Sequence, residues 1–253
     1  MSTWILLRGL MREARHWGDF PNQFKQVSGA GRIITVDFPG NGSLSDQTSP
    51  SSIVDLADYC RSYVNTLGVQ PPYQVLALSL GAMVAVEWSA MHPADLEKLV
   101  LINTSLAPLN PFYHRLRPGN YPALFRHLLC GSILERERII LNLTSTLKRT
   151  PEEESFLLEQ WLSFARNSPV SRANIFRQLL AAISFRAGKA PPSVPLLMLA
   201  GQQDRLVNVK CSIALANLWN CPIKLHPNAG HDLPLDDGEW VARQVKEWID
   251  ATR

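Results

Sequence analysis

A serine stands at the junction between an apolar strand pattern and an apolar helical pattern. Tyr73–Leu78 is strand-like, Ser79 follows it directly, and a helical stretch runs over 80–91. Ala77 and Gly81 lie two residues before and two residues after Ser79. A chain that lifts a nucleophilic serine above a sheet edge turns so sharply that only small side chains fit at these two positions. The pattern small-x-Ser-x-Gly, with alanine where glycine is commoner, therefore predicts that Ser79 is a nucleophile.

The same junction offers a donor for a negatively charged oxygen. When a helix starts directly after the serine, its first N–H groups point at whatever the serine attacks, so the backbone N–H of Leu80 becomes an oxyanion donor. One such donor typically lowers a reaction barrier by ~3 kcal/mol. The alternative is that Ser79 only caps the helix, which is a common role for serine.

A serine nucleophile needs a base and an orienting acid, and both occur downstream in the order serine, acid, histidine. Asp204 comes just after the short apolar run 193–200, which is typical of a buried parallel strand. His231 lies in the loop after the next strand candidate, 222–226. Both residues therefore follow a predicted strand end, as Ser79 does.

Five other histidines and a second aspartate compete for these two roles. Asp232 is the rival acid, but its adjacency to His231 makes the required contact with the imidazole Nδ1 awkward. We therefore predict Asp204 as the acid, with loop capping as its alternative role. The competing histidines lie inside a strand candidate or have no strand end before them: His226 in the first case, and His16, His92, His114 and His127 in the second.

Together these residues resemble the α/β-hydrolase family, and the resemblance covers nearly the whole chain. The N-terminal strand candidate runs into Gly9, which matches the strand and loop that supply the family's second oxyanion N–H; by that match Leu10 donates it. The family's loop usually opens with His-Gly, whereas this chain has Arg8-Gly9. We expect Arg8 to pair with Glu13 or to have another structural role. The alternative is that Arg8 binds an anionic group of the substrate.

The order of patterns along the chain predicts an α/β fold. Strand candidates lie near 3–8, 32–37, 73–78, 98–103, 194–200 and 222–227. Helical stretches lie near 13–27, 52–67, 80–91, 208–219 and 237–251. This alternation favours a doubly wound, mostly parallel sheet, as in the α/β-hydrolase fold.

Residues 105–188 interrupt the alternation with apolar-periodic segments and no convincing strand. We predict a helical lid here, inserted into a hydrolase core made of 1–104 and 189–253. In α/β-hydrolases such a lid covers the serine and shapes the substrate pocket. The candidates for substrate contact are Phe112, Tyr113, Phe125 and Trp161, with Leu124, Phe164 and Phe176 as further wall residues. The alternative is that most of them only pack the lid against the core.

The predicted lid is also the basic part of the chain. It holds eleven Lys and Arg against six Asp and Glu, a net charge of +5 in a chain whose total is +3. A basic region attracts acidic ligands over a distance, so a carboxylate or an acidic acyl carrier is a candidate partner; a solvated helix face is the alternative. Within the family the chain is similar to the esterases of pimeloyl-acyl-carrier methyl ester, whose elbow reads Trp-Ser-Leu-Gly. Here Leu78 replaces the tryptophan.

The composition and the absence of other motifs limit which further classes of protein are possible. A chain of 253 residues with 46% hydrophobic and 19% charged residues is typical of one globular domain. No apolar run approaches ~20 residues, and Trp4–Leu7 is too short for a signal core, so we expect no membrane span and, by default, the cytoplasm. The four cysteines are scattered and no metal-ligand or nucleotide-binding motif occurs, so we expect no metal, no cofactor and no nucleic-acid partner.

The sequence thus predicts a serine hydrolase that cleaves a small-molecule carboxylic ester or thioester through an acyl-enzyme on Ser79. Three alternatives stay open. The first is a C–C hydrolase or lyase acting on an anionic metabolite, held by Arg8 and the lid arginines Arg115, Arg117 and Arg126. The second is an acyltransferase with the same three residues. The third is a hydrolase-like binding protein that has lost the chemistry.

Overall fold

The computed structural model describes residues 2–129 and 131–252, without the side chains at positions 125 and 127–129. This part of the chain contains six strands: β1 (Thr3–Leu7), β2 (Arg32–Val36), β3 (Tyr73–Leu78), β4 (Leu96–Ile102), β5 (Leu196–Gly201) and β6 (Ile223–His226). It also contains ten α-helices: α1 (Phe20–Ser28), α2 (Ile53–Thr66), α3 (Leu80–Met91), α4 (Phe112–Arg115), α5 (Tyr121–Leu129), α6 (Ile133–Thr144), α7 (Pro151–Asn167), α8 (Arg172–Ser184), α9 (Lys210–Trp219) and α10 (Leu233–Ala251). The predicted α/β fold is confirmed.

The six strands form one parallel sheet in the order β2-β1-β3-β4-β5-β6. The chain moves outward from β1 to β2 and then returns to place β3 on the other side of β1. Ligands of open parallel sheets bind at the carboxyl ends of the strands where the order reverses in this way. That crevice lies between the ends of β1 and β3, where Leu7 is paired with Ala77.

Both faces of the sheet are buried. On β1, Ile5 and Leu7 join a core cluster that includes residues of α2, α3 and α9. Trp4 and Leu6 join a second cluster with residues of α1 and α10 on the opposite face. Because helices pack on both faces of the sheet, strands such as β1 and β5 are nearly continuous apolar runs rather than alternating ones.

The helix after Ser79 is buried within the first of these clusters. Most residues of α3 are apolar and buried, and Glu87 is its single charged residue. A helix that is apolar around its whole circumference is held by packing on all sides. The start of α3, and with it the turn at Ser79, is therefore part of the rigid core.

Two helix boundaries differ from the sequence prediction, and both lie near the crevice. The stretch 13–27 is not one helix: a short 3-10 turn at Ala14–Trp17 ends at Gly18, whose φ is 54°, and α1 starts afterwards. The last helix begins at Leu233 rather than at 237 and is kinked at Asp237. Proline at position 234 fits the first turn of a helix, which explains the earlier start.

The segment 105–188, for which a lid is predicted and which is called the lid below, contains α4 to α8 and no strand among its described residues. It enters the chain between β4 and β5. Ser132 and Thr150 start α6 and α7 as reciprocal capping boxes with Glu135 and Glu153. Such caps satisfy the first free N–H groups of each helix.

Candidate active site

Ser79 occupies a strained turn between β3 and α3. Its φ is 56° and its ψ is −112°, a conformation that costs a non-glycine residue of order 1–3 kcal/mol. The Ser79 N–H donates to the carbonyl of Ile102 at the end of β4 over 2.9 Å, which ties the turn to the sheet. The Ser79 side chain makes no capping hydrogen bond to α3, so the helix-cap alternative is wrong.

Close packing beneath this turn explains the glycine at position 81. A Cβ on Gly81 would lie 2.6 Å from the carbonyl oxygen of Leu7 and 2.7 Å from that of Arg8. A Cβ on Gly9 would lie 3.4 Å from the Cβ of Ser79. The end of β1 therefore runs against the start of α3, and the loop after β1 passes the serine at van der Waals distance.

Buried amides from two other regions hold the loop after β1. Met11 has a φ of 59°, and its N–H donates to Oε1 of Gln178 on α8 over 3.0 Å. Nε2 of Gln178 donates to Oδ1 of Asn41 over 2.8 Å, and Nδ2 of Asn41 donates to the carbonyl of Arg12 over 3.0 Å. These bonds fix the loop in a conformation that local sequence does not dictate.

Two backbone N–H groups next to Ser79 have no acceptor among the described residues. Within the described part of the chain, the N–H groups of Leu10 and Leu80 donate no hydrogen bond. Leu10, Ser79 and Leu80 line the same cavity. A buried amide normally has a partner, so two open amides beside a serine are suited to a ligand oxygen.

Asp204 and His231 meet through a buried hydrogen bond. Nδ1 of His231 lies 2.7 Å from Oδ2 of Asp204, and both residues are buried. The other carboxylate oxygen of Asp204 accepts from the N–H groups of Leu206 (2.8 Å) and Val207 (2.9 Å). Because an ionised carboxylate only accepts, Nδ1 of His231 carries the proton and Nε2 keeps its lone pair. His231 and Ser79 line one cavity.

The environment of His231 makes its imidazole more basic. Burial alone lowers the pKa of His231, but the charge of Asp204, its hydrogen bond and the charge of Asp232 outweigh burial, and the pKa is raised above the ordinary value. Arg8 opposes this rise. A carboxylate that stabilises the imidazolium favours the protonated form that exists during proton transfer.

Arg8 pairs with Asp232, so the expected pairing with Glu13 is wrong. Nη1 and Nη2 of Arg8 lie 3.2 and 2.5 Å from the two carboxylate oxygens of Asp232, and both side chains are buried. Glu13 instead pairs with Arg15. The loop carrying Asp232 packs against the end of β1, whereas Glu13 lies beyond the turn at Met11. Asp232, the rival acid, is thus occupied by Arg8.

Asn103, at the end of β4, connects the segments that carry the acid and the histidine. Its Oδ1 accepts from the N–H of Gly201 over 2.9 Å. Its Nδ2 donates to the carbonyls of Gly230 (3.0 Å) and His231 (2.7 Å). Asn103 is buried and has a φ of 46°, which asparagine tolerates better than most residues. One amide side chain therefore bonds to both the segment that leads to Asp204 and the loop that carries His231.

Asp236 joins the lid to the loop of His231. Its carboxylate accepts from the N–H of Gly230 over 2.7 Å and from the N–H of Thr146 over 3.0 Å, and it also binds the hydroxyl of Ser145. Nearby, the N–H of Asp232 donates to the carbonyl of Thr144 at the end of α6 over 2.6 Å. The end of α6 is thus fastened to the loop that carries the histidine.

A second lid contact explains the position of Trp161. Nη1 of Arg12 lies 2.6 Å from Oε2 of Glu137 on α6 and 2.9 Å from Nε2 of His16. The Arg12 guanidinium lies over the ring of Trp161, 4.3 Å from the ring centre. Burial and the charges of Arg12 and Arg8 keep the pKa of His16 well below its ordinary value, so this histidine is neutral. Trp161 packs on this cluster.

Two cavities adjoin Ser79. The first, called the closed cavity, is also lined by His231, Asp232 and Leu143 and has a volume of about 130 Å³. The second, called the open cavity, is also lined by Leu80 and has a volume of about 410 Å³.

The predicted substrate contacts are distributed unevenly over these cavities. Phe112 lines the open cavity, and Arg8 lines the closed one. Tyr113 and Trp161 line neither; Tyr113 is exposed beside Phe112, and Trp161 is buried under Arg12. The side chain of Phe125 lies outside the described residues. Trp161 therefore lines neither of these two cavities, and its contact with a substrate stays a prediction.

Other chemistry is not visible in the residues that the structure describes. They contain no group of three or more His, Cys, Asp or Glu that could hold a metal ion. Three cysteines are free thiols, and burial raises the pKa of Cys60, Cys211 and Cys221. No helix in the described ranges is long and apolar enough to cross a membrane.

Comparison with known proteins agrees with the geometry. Residues 4–244 match the model of the alpha/beta hydrolase family. A 2-hydroxy-6-oxononadienedioate/2-hydroxy-6-oxononatrienedioate hydrolase of Pseudomonas putida is 26% identical over 98% of this chain and 87% of its own length. A pimeloyl-[acyl-carrier protein] methyl ester esterase of Chromobacterium violaceum is 24% identical over 92% of this chain and 79% of its own.

Solved structures show the same fold at lower identity. The enol-lactonase of Burkholderia xenovorans LB400 superposes with a TM-score of 0.79 at 17% identity, covering 98% of this chain and 91% of that one. A thermophilic esterase of Thermogutta terrifontis has a TM-score of 0.78 at 19% identity, covering 99% and 90%. The family match spans nearly the whole sequence and the sheet places a strained serine at its switch point: the chain belongs to the α/β hydrolase family.

Proposed function

We propose that the protein is a serine hydrolase that cleaves a carboxylic ester or thioester. The observation that carries the proposal is the hydrogen bond between Asp204 and His231, made at a cavity that also contains the strained Ser79. Nucleophile, base and acid come from the ends of three strands, which is the arrangement of acyl-transfer sites on this type of sheet.

Acylation starts at Ser79. Nε2 of His231 takes the hydroxyl proton while Oγ attacks the carbonyl carbon, and Asp204 stabilises the imidazolium that forms. The carbonyl oxygen becomes an oxyanion and accepts from the N–H groups of Leu10 and Leu80, each worth ~3 kcal/mol of barrier. His231 then gives its proton to the leaving alcohol or thiol, the bond to that group breaks, and the acyl group stays on Ser79.

Water completes the cycle. His231 removes a proton from a water molecule that attacks the acyl carbon, and the same two N–H groups hold the second oxyanion. The Ser79 ester bond breaks, Oγ takes the proton back from His231, and the carboxylic acid leaves. In an acyltransferase an alcohol or amine would replace this water; competing acceptors added to the assay separate the two outcomes.

The two arginines of the closed cavity give no support to the C–C hydrolase alternative. Arg8 and Arg12 line the closed cavity, but each is paired with a buried carboxylate, Asp232 and Glu137. A guanidinium whose charge is already compensated gives little attraction to an anionic metabolite. A binding protein that has lost the chemistry would need neither the strained backbone at Ser79 nor the unbonded N–H groups of Leu10 and Leu80.

Partner and compartment follow from the same proposal. The substrate is a small molecule, and the basic lid makes an acidic acyl carrier the protein partner to test. The free thiols of Cys60, Cys211 and Cys221 support a reducing compartment, the cytoplasm.

Hydrolysis of p-nitrophenyl esters by the wild type and by Ser79→Ala tests the proposal. We expect the substitution to lower kcat by about 10⁶-fold, since removing a nucleophile of this type costs roughly that factor. Ser89→Ala is the matched control, because Ser89 is a buried serine on α3 whose hydroxyl bonds only to the carbonyl of Val86. Equal activity in wild type and Ser79→Ala would contradict the proposal.

A further inference from the structure

The closed and open cavities meet at Ser79. Both are lined by Ser79 and Leu10, and both share the same covering side chains from the lid and from the loop after β5, namely Leu116, Leu179 and Leu206. A substrate carbonyl held at Ser79 therefore has space on two sides. The two parts of an ester, its acyl chain and its leaving group, must occupy one side each.

The closed cavity contains the proton donor. His231 and Asp232 line it, and neither lines the open cavity. Every residue around the closed cavity is buried or half-buried. Its arginines are neutralised by carboxylates, so its remaining surface is mostly apolar, with Ile140 and Leu143 contributed by α6.

The open cavity reaches the protein surface. Three of its lining residues are exposed hydrophobic side chains: Phe112, Tyr121 and Ile183, the last two from α5 and α8. Its one charged lining residue is Arg115, whose Nη2 donates to the carbonyl of Ala182 at the end of α8 over 2.7 Å. An exposed apolar rim around a deep apolar cavity is the form expected for a long apolar ligand.

Proton transfer decides which part of the ester goes where. The leaving group must receive its proton from Nε2 of His231, so its oxygen has to lie within hydrogen-bond reach of that nitrogen. Of the two cavities, only the closed cavity is lined by His231. The carbonyl oxygen accepts hydrogen bonds from the N–H groups of Leu10 and Leu80. The open cavity is then the space that remains for the acyl chain.

We propose that the open cavity binds the acyl chain and that the closed cavity binds the leaving group. This assignment rests on the proposed ester hydrolysis and names its substrate class: esters of long apolar acids with a compact, uncharged alcohol. The closed cavity, at about 130 Å³ against about 410 Å³, fits the smaller of the two parts of the ester.

Two ester series separate the cavities. The first keeps methanol as the alcohol and extends the acid from acetate to decanoate; the second keeps acetate and extends the alcohol from methyl to decyl. For the wild type, followed by pH-stat titration, we expect kcat/KM to rise roughly threefold per added methylene in the first series, because each buried methylene adds favourable transfer free energy. In the second series kcat/KM falls once the alcohol outgrows the closed cavity.

Ala182→Trp tests the assignment within the open cavity. Ala182 is half-buried on α8 and lines this cavity only, so the indole should occupy the acyl space. We expect the ratio of kcat/KM for methyl decanoate over methyl acetate to fall at least tenfold, with no change in the ratio of decyl acetate to methyl acetate. Ala173→Trp, at an exposed position of α8 outside both cavities, should leave both ratios unchanged.

A second variant keeps the assignment testable if Ala182→Trp does not fold. Ile183→Asn places a polar group on the exposed rim and should lower the same acyl ratio, because the apolar rim is what a long chain contacts. If either variant changes the alcohol ratio and leaves the acyl ratio intact, the assignment is overturned while hydrolysis at Ser79 stands. If the wild type cleaves no ester in either series, the proposed function fails as well.

Discussion

The sheet core and the lid contribute to the site by different means. In the core, Ser79, Asp204 and His231 lie at strand ends and are fixed by short hydrogen bonds between buried groups. The lid contributes apolar side chains that are half-buried or exposed, such as Leu143 and Ile183. We therefore expect the core to set the chemistry and the lid to set the size of the substrate that reaches it.

Three of the polar contacts between the two regions reach the loops around the site. Asp236 binds the end of α6, Gln178 binds the loop after β1, and Glu137 binds Arg12. Each of these contacts reaches an element that carries a proposed catalytic group. Substitutions in the core should therefore change kcat by orders of magnitude, whereas those in the lid should change stability or substrate preference.

The largest effect is expected from Asp204→Asn. The amide keeps an oxygen for the N–H groups of Leu206 and Val207, but it presents a donor to His231 and forces the proton onto Nε2. The histidine then cannot accept the proton of Ser79, and kcat should fall about 10⁴-fold. Steady-state kinetics on a p-nitrophenyl ester measure this.

Asp46→Asn, an exposed aspartate, is the control for Asp204→Asn and should keep wild-type kcat. A kcat for Asp204→Asn within tenfold of the wild type would show that the core does not set the chemistry in the way described.

The contact between lid and core is tested by Glu137→Ala. This change leaves the buried Arg12 guanidinium without its carboxylate, and breaking a buried ion pair in this way costs about 3–5 kcal/mol. Urea unfolding should show a free energy of unfolding lower by that amount. Glu159→Ala, at an exposed position on α7, should change it by less than about 0.5 kcal/mol. Equal stability of both variants would show that the lid does not depend on this pair.

A smaller effect is expected from Asn103→Gly. Glycine accepts the positive φ of this position but removes the bonds to Gly201, Gly230 and His231. A displacement of about 1 Å between reacting groups costs up to roughly 10²-fold, so we expect kcat to fall between about 10-fold and 100-fold with KM little changed. Asn220→Gly makes the same substitution at another left-handed position, after α9, and should not change kcat. A rise in KM at constant kcat would argue against a positioning role.

The smallest effect concerns pH. Ser79 can give its proton only to neutral His231, so kcat/KM falls as the histidine becomes protonated. The raised pKa of His231 places this acidic limb above the ordinary histidine value of about 6.5. A pH-stat profile with a neutral ester measures it. An acidic limb below that value would mean that burial has a larger effect on the pKa of His231 than Asp204 has.

The sequence was most informative where a function depends on neighbouring residues. The elbow at Ser79 and the two strand ends before Asp204 and His231 are local patterns, and the structure has them at the predicted places. Their catalytic roles stay predictions. Gly81 is also part of this local pattern, although its steric cause is distant in sequence and lies at the end of β1.

Long-range partners could not be found from sequence. Asn103 bonds to residues 98 to 128 positions away, and Arg8 pairs with a residue 224 positions away, so no local spacing indicates them. An asparagine directly after a strand end was the one available signal for the first. The packing of Trp161 under Arg12 could not be predicted for a related reason: an apolar stripe on a helix does not say which neighbour it packs on.

The most direct test of the central claim is the covalent labelling of Ser79. An alkyl p-nitrophenyl phosphonate imitates the ester, and its phosphonyl group stays on the nucleophile that displaces p-nitrophenol. We predict one equivalent of p-nitrophenol per protein, a phosphonyl mass on the peptide that carries Ser79, and much slower labelling of Asp204→Asn. Inactivation with the label on another residue, or no label at all in a protein that hydrolyses esters, would contradict the account.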